Sequence, residues 1–245
     1  MLHSAFRLCL FVFSLVTLSS CGERMPRGEV SRIMVMGDSL MAWNGGTSRA
    51  ISNVMERELE TQVVDRSVSA ARMIYNLPLT GAAGLSIPKQ YLEGDWDWVV
   101  LNGGGNDLWL GCGCFACKRK MNRLVAPDGN SGTIPGLIAK LRARGAKVIY
   151  TGYLRSPGRG SPIEYCKDEG QELDRRMAQA AARDEGVFFL SLADLVPYGD
   201  RSYHALDMIH PSVKGSDAIG RRISALIAQV ETGAIPKAPP QNAPQ

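Results

Sequence analysis

Three side chains in this chain of 245 residues can be assembled into an acyl-transferring set: a hydroxyl, an imidazole and a carboxylate. Ser39 ends the stretch Ile33-Met34-Val35-Met36-Gly37-Asp38-Ser39, an apolar run that stops at a glycine and presents the hydroxyl. Such a run reads as a buried strand handing over to a tight turn, because glycine tolerates the positive φ that such turns need. A serine there is no better a nucleophile than any other until a base reaches it. Of the three histidines, His3 falls in a leader segment, which leaves His204 and His210. Asp207 stands three residues before His210 in Asp207-Met208-Ile209-His210-Pro211, close enough to hold one ring nitrogen while the other faces Ser39. His204 has no acid at that spacing. A glycine run, Gly103-Gly104-Gly105-Asn106-Asp107, follows the apolar Trp98-Val99-Val100-Leu101. Backbone can approach a ligand there, and the Asn106 amide can donate to a developing oxyanion.

Taken together, these stretches resemble the SGNH (GDSL-type) hydrolase superfamily. Its first block matches Gly37-Asp38-Ser39-Leu40, its third matches Gly104-Gly105-Asn106-Asp107, and its last matches Asp207 to Pro211, in family order. The second block normally carries a glycine whose N–H completes the oxyanion hole; Ala70, in Val63-Val64-Asp65-Arg66-Ser67-Val68-Ser69-Ala70, falls at that position and keeps the donor. The resemblance implies a serine esterase working through an acyl-enzyme. Its catalytic residues would be Ser39, Asp207 and His210, its oxyanion donors Ser39, Ala70 and Asn106, and it would need neither metal nor cofactor. Rival readings are a catalytically silent binding module on the same fold, an esterase or acyltransferase acting on O-acylated polysaccharide, and a flavodoxin-like cofactor binder using the run from Gly103 to Gly105.

Residues 1–20 have one basic residue, Arg7, then an apolar run from Leu8 to Leu18, then small residues before a cysteine. That is the layout of a secretory signal, and the run is too short for an ordinary membrane span. Leu18-Ser19-Ser20-Cys21 looks like a bacterial lipobox, with Cys21 lipidated as the mature N-terminus. Gly22 rather than aspartate follows it, which by resemblance to Gram-negative lipoproteins places the chain on the periplasmic face of the outer membrane. The expected partners are therefore a membrane, through lipidated Cys21, and a small-molecule or glycan ester. The formal net charge of +4 is too slight to argue for nucleic acid.

These residues need a scaffold, and the pattern supplies one. Residues 21–29 read as a linker, 30–230 as one hydrolase domain and 231–245, rich in Pro, Ala and Gln, as a disordered tail. Ile51, Val54, Met55 and Leu59 fall at helical spacing after the Ser39 turn. Val63-Val64, Trp96 to Leu101, Lys147 to Tyr150 and Val187 to Leu190 read as further strands. Helices are predicted around Ile134 to Leu141, around Leu173 to Ala181 with Gly186 closing it, and from Pro211-Ser212 through Val230. Regular alternation of this kind predicts a three-layer α/β/α doubly wound parallel sheet of about five strands. Ser39, Ala70 and Asn106 would all lie just past strand ends, the edge at which such sheets bind ligands.

Four further cysteines, Cys112, Cys114, Cys117 and Cys166, are an even set in an exported chain. They predict one short local disulfide and one from that cluster to Cys166, clamping two loops beside the cleft; a zinc site made by all four thiolates stays open. Arg155 and Arg159 follow the fourth strand, where they could meet an anionic substrate group or simply be solvated. Trp43 and Trp109 could line an acyl or sugar subsite, and rim packing explains them equally well.

Overall fold

A computed structural model describes residues 32–158 and 160–234. The leader, Cys21, the linker, Arg159 and residues 235–245 lie outside the described residues. Five short strands, β1 (Ile33–Met36), β2 (Val63–Asp65), β3 (Trp98–Leu101), β4 (Lys147–Thr151) and β5 (Val187–Leu190), form one sheet in the order β2-β1-β3-β4-β5. Every neighbouring pair is parallel, with Ile33 beside both Val63 and Trp98, and Val99 beside Val148. Both sheet faces are covered, so the strands read as unbroken apolar runs rather than alternating ones.

The alternation is nonetheless present in space, because successive side chains leave opposite faces of a strand. Ile33, Val35, Trp98, Val100 and Ile149 join one core, which also holds Ile51 and Met55 of α2 (Ile51–Leu59) and Ile219, Ile223 and Ile227 of α7 (Val213–Glu231). Met34, Met36, Val99, Leu101, Val148 and Tyr150 join the other core. That second core is closed by α3 (Gly105–Cys112), α4 (Lys118–Leu124), α5 (Thr133–Ala143) and α6 (Lys167–Ala181). A single helical turn, α1 (Ser39–Ala42), precedes α2. Each fully buried aliphatic side chain in these layers stabilises the fold by roughly 1.5–3 kcal/mol before conformational entropy is counted.

Three boundaries differ from the sequence expectation. β3 starts at Trp98 rather than Trp96; the N–H groups of Asp97 and Trp98 both donate to Arg32 O, which is where pairing with β1 begins. α6 stops at Ala181, well before Gly186, whose N–H is held by Asp184 Oδ1 at 2.8 Å on the way into β5. Glu231 is not tail: it is the last residue of α7, and its carboxylate accepts from Trp98 Nε1 and Lys147 Nζ at 2.9 and 2.8 Å. The start of α7 follows its sequence signal, with Ser212 Oγ capping the Gly215 N–H. Strand order reverses between β1 and β3, and the crevice outside their carboxyl ends is where ligands bind in such sheets.

Candidate active site

Ser39 opens α1 directly after β1, as its turn predicts, but Gly37 is needed for a different reason. Its φ is not positive; a Cβ there would lie 3.0 Å from Met41 Cγ and 3.2 Å from Asn102. The buried Gln90 clamps this glycine from both sides, its Oε1 accepting from Gly37 N at 2.8 Å and its Nε2 donating to Gly37 O at 2.9 Å. Asp38 is the N-cap of α1: Oδ1 accepts from Leu40 N, and Oδ2 accepts from the Tyr153 hydroxyl. Tyr153 O in turn accepts from Gly105 N at 2.8 Å. Gly105 is glycine because a Cβ would sit 2.6 Å from the Tyr153 ring. The glycine run thus makes room for protein side chains before it makes room for any ligand. Burial raises the Asp38 carboxyl to about 6 against the hydrogen bonds from Tyr153 and Leu40, and raises Tyr153 well above its ordinary range.

The third block docks the segment after β2. Asn106 Nδ2 donates to Ala71 O at 3.1 Å, and Asp107 accepts from the N–H groups of Met73 and Ile74, both at 2.9 Å. One amide hydrogen of Asn106 remains beyond that bond, on a side chain that lines the cavity beside Ser39. Ala70 adopts φ 64° in a turn closed by Ala71 N to Val68 O, the left-handed position that such turns hand to glycine. It therefore keeps a glycine's conformation despite its methyl group. The described hydrogen bonds leave the N–H of Ser39 unused, as expected for the first residue of a helical turn.

His210 reaches this edge from the segment between β5 and α7. Its Nδ1 lies 2.6 Å from Asp207 Oδ2, while Asp207 Oδ1 accepts from the N–H groups of Ile209 and His210 at 3.0 Å. Burial alone would raise the Asp207 carboxyl; the hydrogen bonds from His210 and Ile209 outweigh it and hold the pKa below the ordinary value. Trp43, the residue that closes α1, stacks flat on the imidazole, with ring centroids 3.7 Å apart and planes 6° apart. Its place is against the His210 ring, not in a subsite of its own. Asn44 extends the tie, donating to Pro211 O at 3.2 Å and to Ser216 Oγ at 2.9 Å. Among the described residues no hydrogen bond joins Ser39 Oγ to His210, although both line one cavity; such bonds commonly tighten only with substrate. His204 is buried instead, and burial pushes its pKa down against Asp207 and Asp200.

The cavity of about 350 Å³ is walled by Leu40, Leu108, Trp109, Leu154, Leu173 and the Cys114–Cys166 disulfide among others. Cys112 pairs with Cys117, so the local-plus-long connectivity expected from the sequence is the one formed, and the four thiols are not a zinc site. Arg155 lines the cavity but is neither solvated nor open to an anion: its guanidinium pairs with buried Asp174 of α6. Burial raises the Asp174 carboxyl to about 6 against that pairing. Trp109 also lines the cavity, its Nε1 donating to the Tyr165 hydroxyl oxygen at 2.7 Å. Tyr153, Gln90 and Asn44 carry no local motif. Only the position of Tyr153 just past β4, matching those of Ser39 and Asn106 past their strands, could have marked it.

Residues 35–218 match the GDSL-like lipase/acylhydrolase family. No curated protein matches the chain significantly. Among solved structures, TesA is 24% identical with a TM-score of 0.54, covering 80% of this chain and 97% of its own. A protein of Slackia heliotrinireducens assigned to the SGNH hydrolases is 21% identical, with a TM-score of 0.56 over 81% of this chain and 99% of that one. A family two carbohydrate esterase from Clostridium thermocellum, solved in complex with cellohexaose, is 20% identical, with a TM-score of 0.54 over 87% of this chain and 68% of that one. At these identities the likeness is one of fold, and the family match over three quarters of the sequence supplies the rest. The chain belongs to the GDSL-like lipase/acylhydrolase family, and is a carboxylic ester hydrolase of the SGNH type.

Proposed function

We propose that this hydrolase is a serine esterase that works through an acyl-enzyme on Ser39. The observation that carries the reading is the pairing of Asp207 Oδ2 with His210 Nδ1 at 2.6 Å, on an imidazole that shares its cavity with Ser39. The bond fixes the tautomer and leaves Nε2 to take the Ser39 proton as the oxygen attacks the ester carbonyl. Asp207, held ionised by its hydrogen bonds, stabilises the imidazolium that results. Negative charge on the carbonyl oxygen is met by the Ser39 and Ala70 N–H groups and the remaining Asn106 amide hydrogen. His210 then protonates the leaving alcohol, and water repeats the sequence to release the acid.

The test is hydrolysis of p-nitrophenyl acetate by protein starting at Gly22, a chain that keeps every described residue. Ser39→Ala and His210→Gln should each lose at least about 10⁴-fold in kcat, Asn106→Ala about 10²- to 10³-fold, and His204→Gln little. Equal activity in Ser39→Ala would refute the reading. A glycan ester is the second reading for the substrate, supported by the likeness to the carbohydrate esterase; acetate released from an acetylated cello-oligosaccharide would favour it. Tethering to the envelope through Cys21 completes the proposal, and mass spectrometry of the mature N-terminus tests it.

A further inference from the structure

The eight large apolar side chains that the described residues leave exposed are Leu77, Leu79, Leu110, Phe115, Tyr165, Tyr198, Leu206 and Val213. Singly, such residues are ordinary. Their placement is not: all eight fall in connections that leave the carboxyl ends of strands or at the first residue of α7. The opposite edge, where helices hand back to strands, has none of them. Several border the cavity itself. Tyr198 lines it at 85% exposed, and Leu110, Phe115 and Tyr165 adjoin the lining residues Trp109, Cys114 and Cys166. Leu206 adjoins Asp207, the partner of His210.

Phe115 is the most constrained of these. It is 92% exposed at the tip of a loop bracketed by Cys112–Cys117 and pinned to the start of α6 by Cys114–Cys166. Gly113 and Cys114 before it hold left-handed φ values of 64° and 53°. A buried site for this ring would need no such bracket. Directly after it come Lys118, Arg119, Lys120 and Arg123, and no acidic residue lies between Leu108 and Pro127. An exposed aromatic beside a basic turn suits an interface with apolar depth below and negative charge at its surface.

We infer that this edge is a membrane-contacting face, which seats the cavity mouth on a bilayer carrying anionic headgroups.

The experiment is co-sedimentation of the protein starting at Gly22 with vesicles of phosphatidylcholine, with and without phosphatidylglycerol, at low ionic strength. The described domain covers 97% and 99% of two solved relatives' chains and contains both cores, so it stands without the leader. Binding to the anionic vesicles is expected, weakened about tenfold by Phe115→Ser. Lys118→Gln with Arg119→Gln should weaken it roughly 25-fold, at about fivefold per basic residue. Turnover of p-nitrophenyl acetate should be unchanged in these variants. No binding to anionic vesicles, or binding indifferent to Phe115→Ser, overturns the inference. So does a concentration-dependent dimer that Phe115→Ser abolishes, which would give the face to a second copy of the chain. Vesicle binding by a protein inert toward p-nitrophenyl acetate would uphold the membrane face while refuting the esterase reading.

Discussion

The two halves of the site are held by different means. The nucleophile half is fastened from below: Gln90 grips Gly37, Asp38 and Gly105 share the Tyr153 hydroxyl, and Asp107 pins the segment after β2. Asp38, Gln90 and Asp107 are buried, and apart from Gln90 these groups follow the ends of β1, β3 and β4, in the middle of the sheet. The histidine half arrives on an irregular segment after β5 and is fastened from the side. Trp43 lies on the ring, Asn44 holds Pro211 O, and Ser161 Oγ donates to Met208 O at 2.8 Å. A fixed nucleophile beside a separately anchored base teaches where each kind of substitution should register. Damage to the fastenings of the first half should appear in stability, and damage to those of the second in turnover.

The sharpest stability test of the first half is Asp38→Asn. Asparagine caps helices as well as aspartate; its Oδ1 keeps the Leu40 N–H, while its Nδ2, a donor, faces the Tyr153 hydroxyl oxygen, whose hydrogen must turn away. The folded Asp38 carboxyl, pushed by burial to about 6, binds its proton more tightly than the ordinary value of 3.8. Its contribution to stability is therefore full below about pH 4 and lost as pH rises through about 6. Two pH units correspond to about 3 kcal/mol, which the asparagine variant would not lose. Urea unfolding at pH 4 and pH 8 should show the variant gaining on wild type by up to that amount at the higher pH. Asp174 titrates in the same window but cancels in the difference. A pH-independent difference would mean that Asp38 does not couple folding to its proton.

The tie between the halves is tested by Trp43→Leu, which keeps apolar bulk and removes the ring face. Stacked aromatic pairs contribute about 0.5–1.5 kcal/mol beyond their burial, and a ring face favours the imidazolium formed as Ser39 attacks. The expected result is a fall of about tenfold in kcat for p-nitrophenyl acetate with KM and Tm nearly unchanged, most of it recovered in Trp43→Phe. If Trp43 only fills space, Trp43→Leu will turn over like wild type. If it merely holds the fold together, Tm will fall along with kcat.

The same division explains what could be read in the sequence. The strands and the residues at their ends are local matters: an apolar run, a turn, a side chain just beyond it. The places of Ser39 and Asn106 just past their strands and the capped start of α7 were legible for that reason; of the disulfides, a bridge from the cysteine cluster to Cys166 was legible, but not that Cys114 makes it. The fastenings were not. Tyr153 meets Asp38 across 115 positions and Gln90 meets Gly37 across 53, and no periodicity encodes such meetings. Trp43 read equally as a subsite residue or as rim packing because nothing near it in sequence announces His210. Arg155 read as solvated or anion-binding because its partner waits 19 residues on, in a helix that folds back over it. Gly37 was recognised as necessary for the wrong reason, since a close approach by Met41 and Asn102 cannot be told from a positive φ until both are in place.

Ala70 gives the smallest effect and the finest test of the comparison, because it belongs to the nucleophile half yet is exposed. A non-glycine residue at φ 64° costs about 1–2 kcal/mol, whereas glycine costs about 0.4–1 kcal/mol more to order from the unfolded chain. Ala70→Gly should therefore stabilise the protein by about 0 to 1.6 kcal/mol, read from the urea midpoint at constant m-value. The backbone donor is the same in either residue, so kcat should hold if the turn is fixed by Asn106, Asp107 and the Val68–Ala71 hydrogen bond. A fall in kcat with stability preserved would show that the alanine methyl, not the buried fastening, keeps that N–H aimed. The nucleophile half would then depend on an exposed side contact, as the histidine half does.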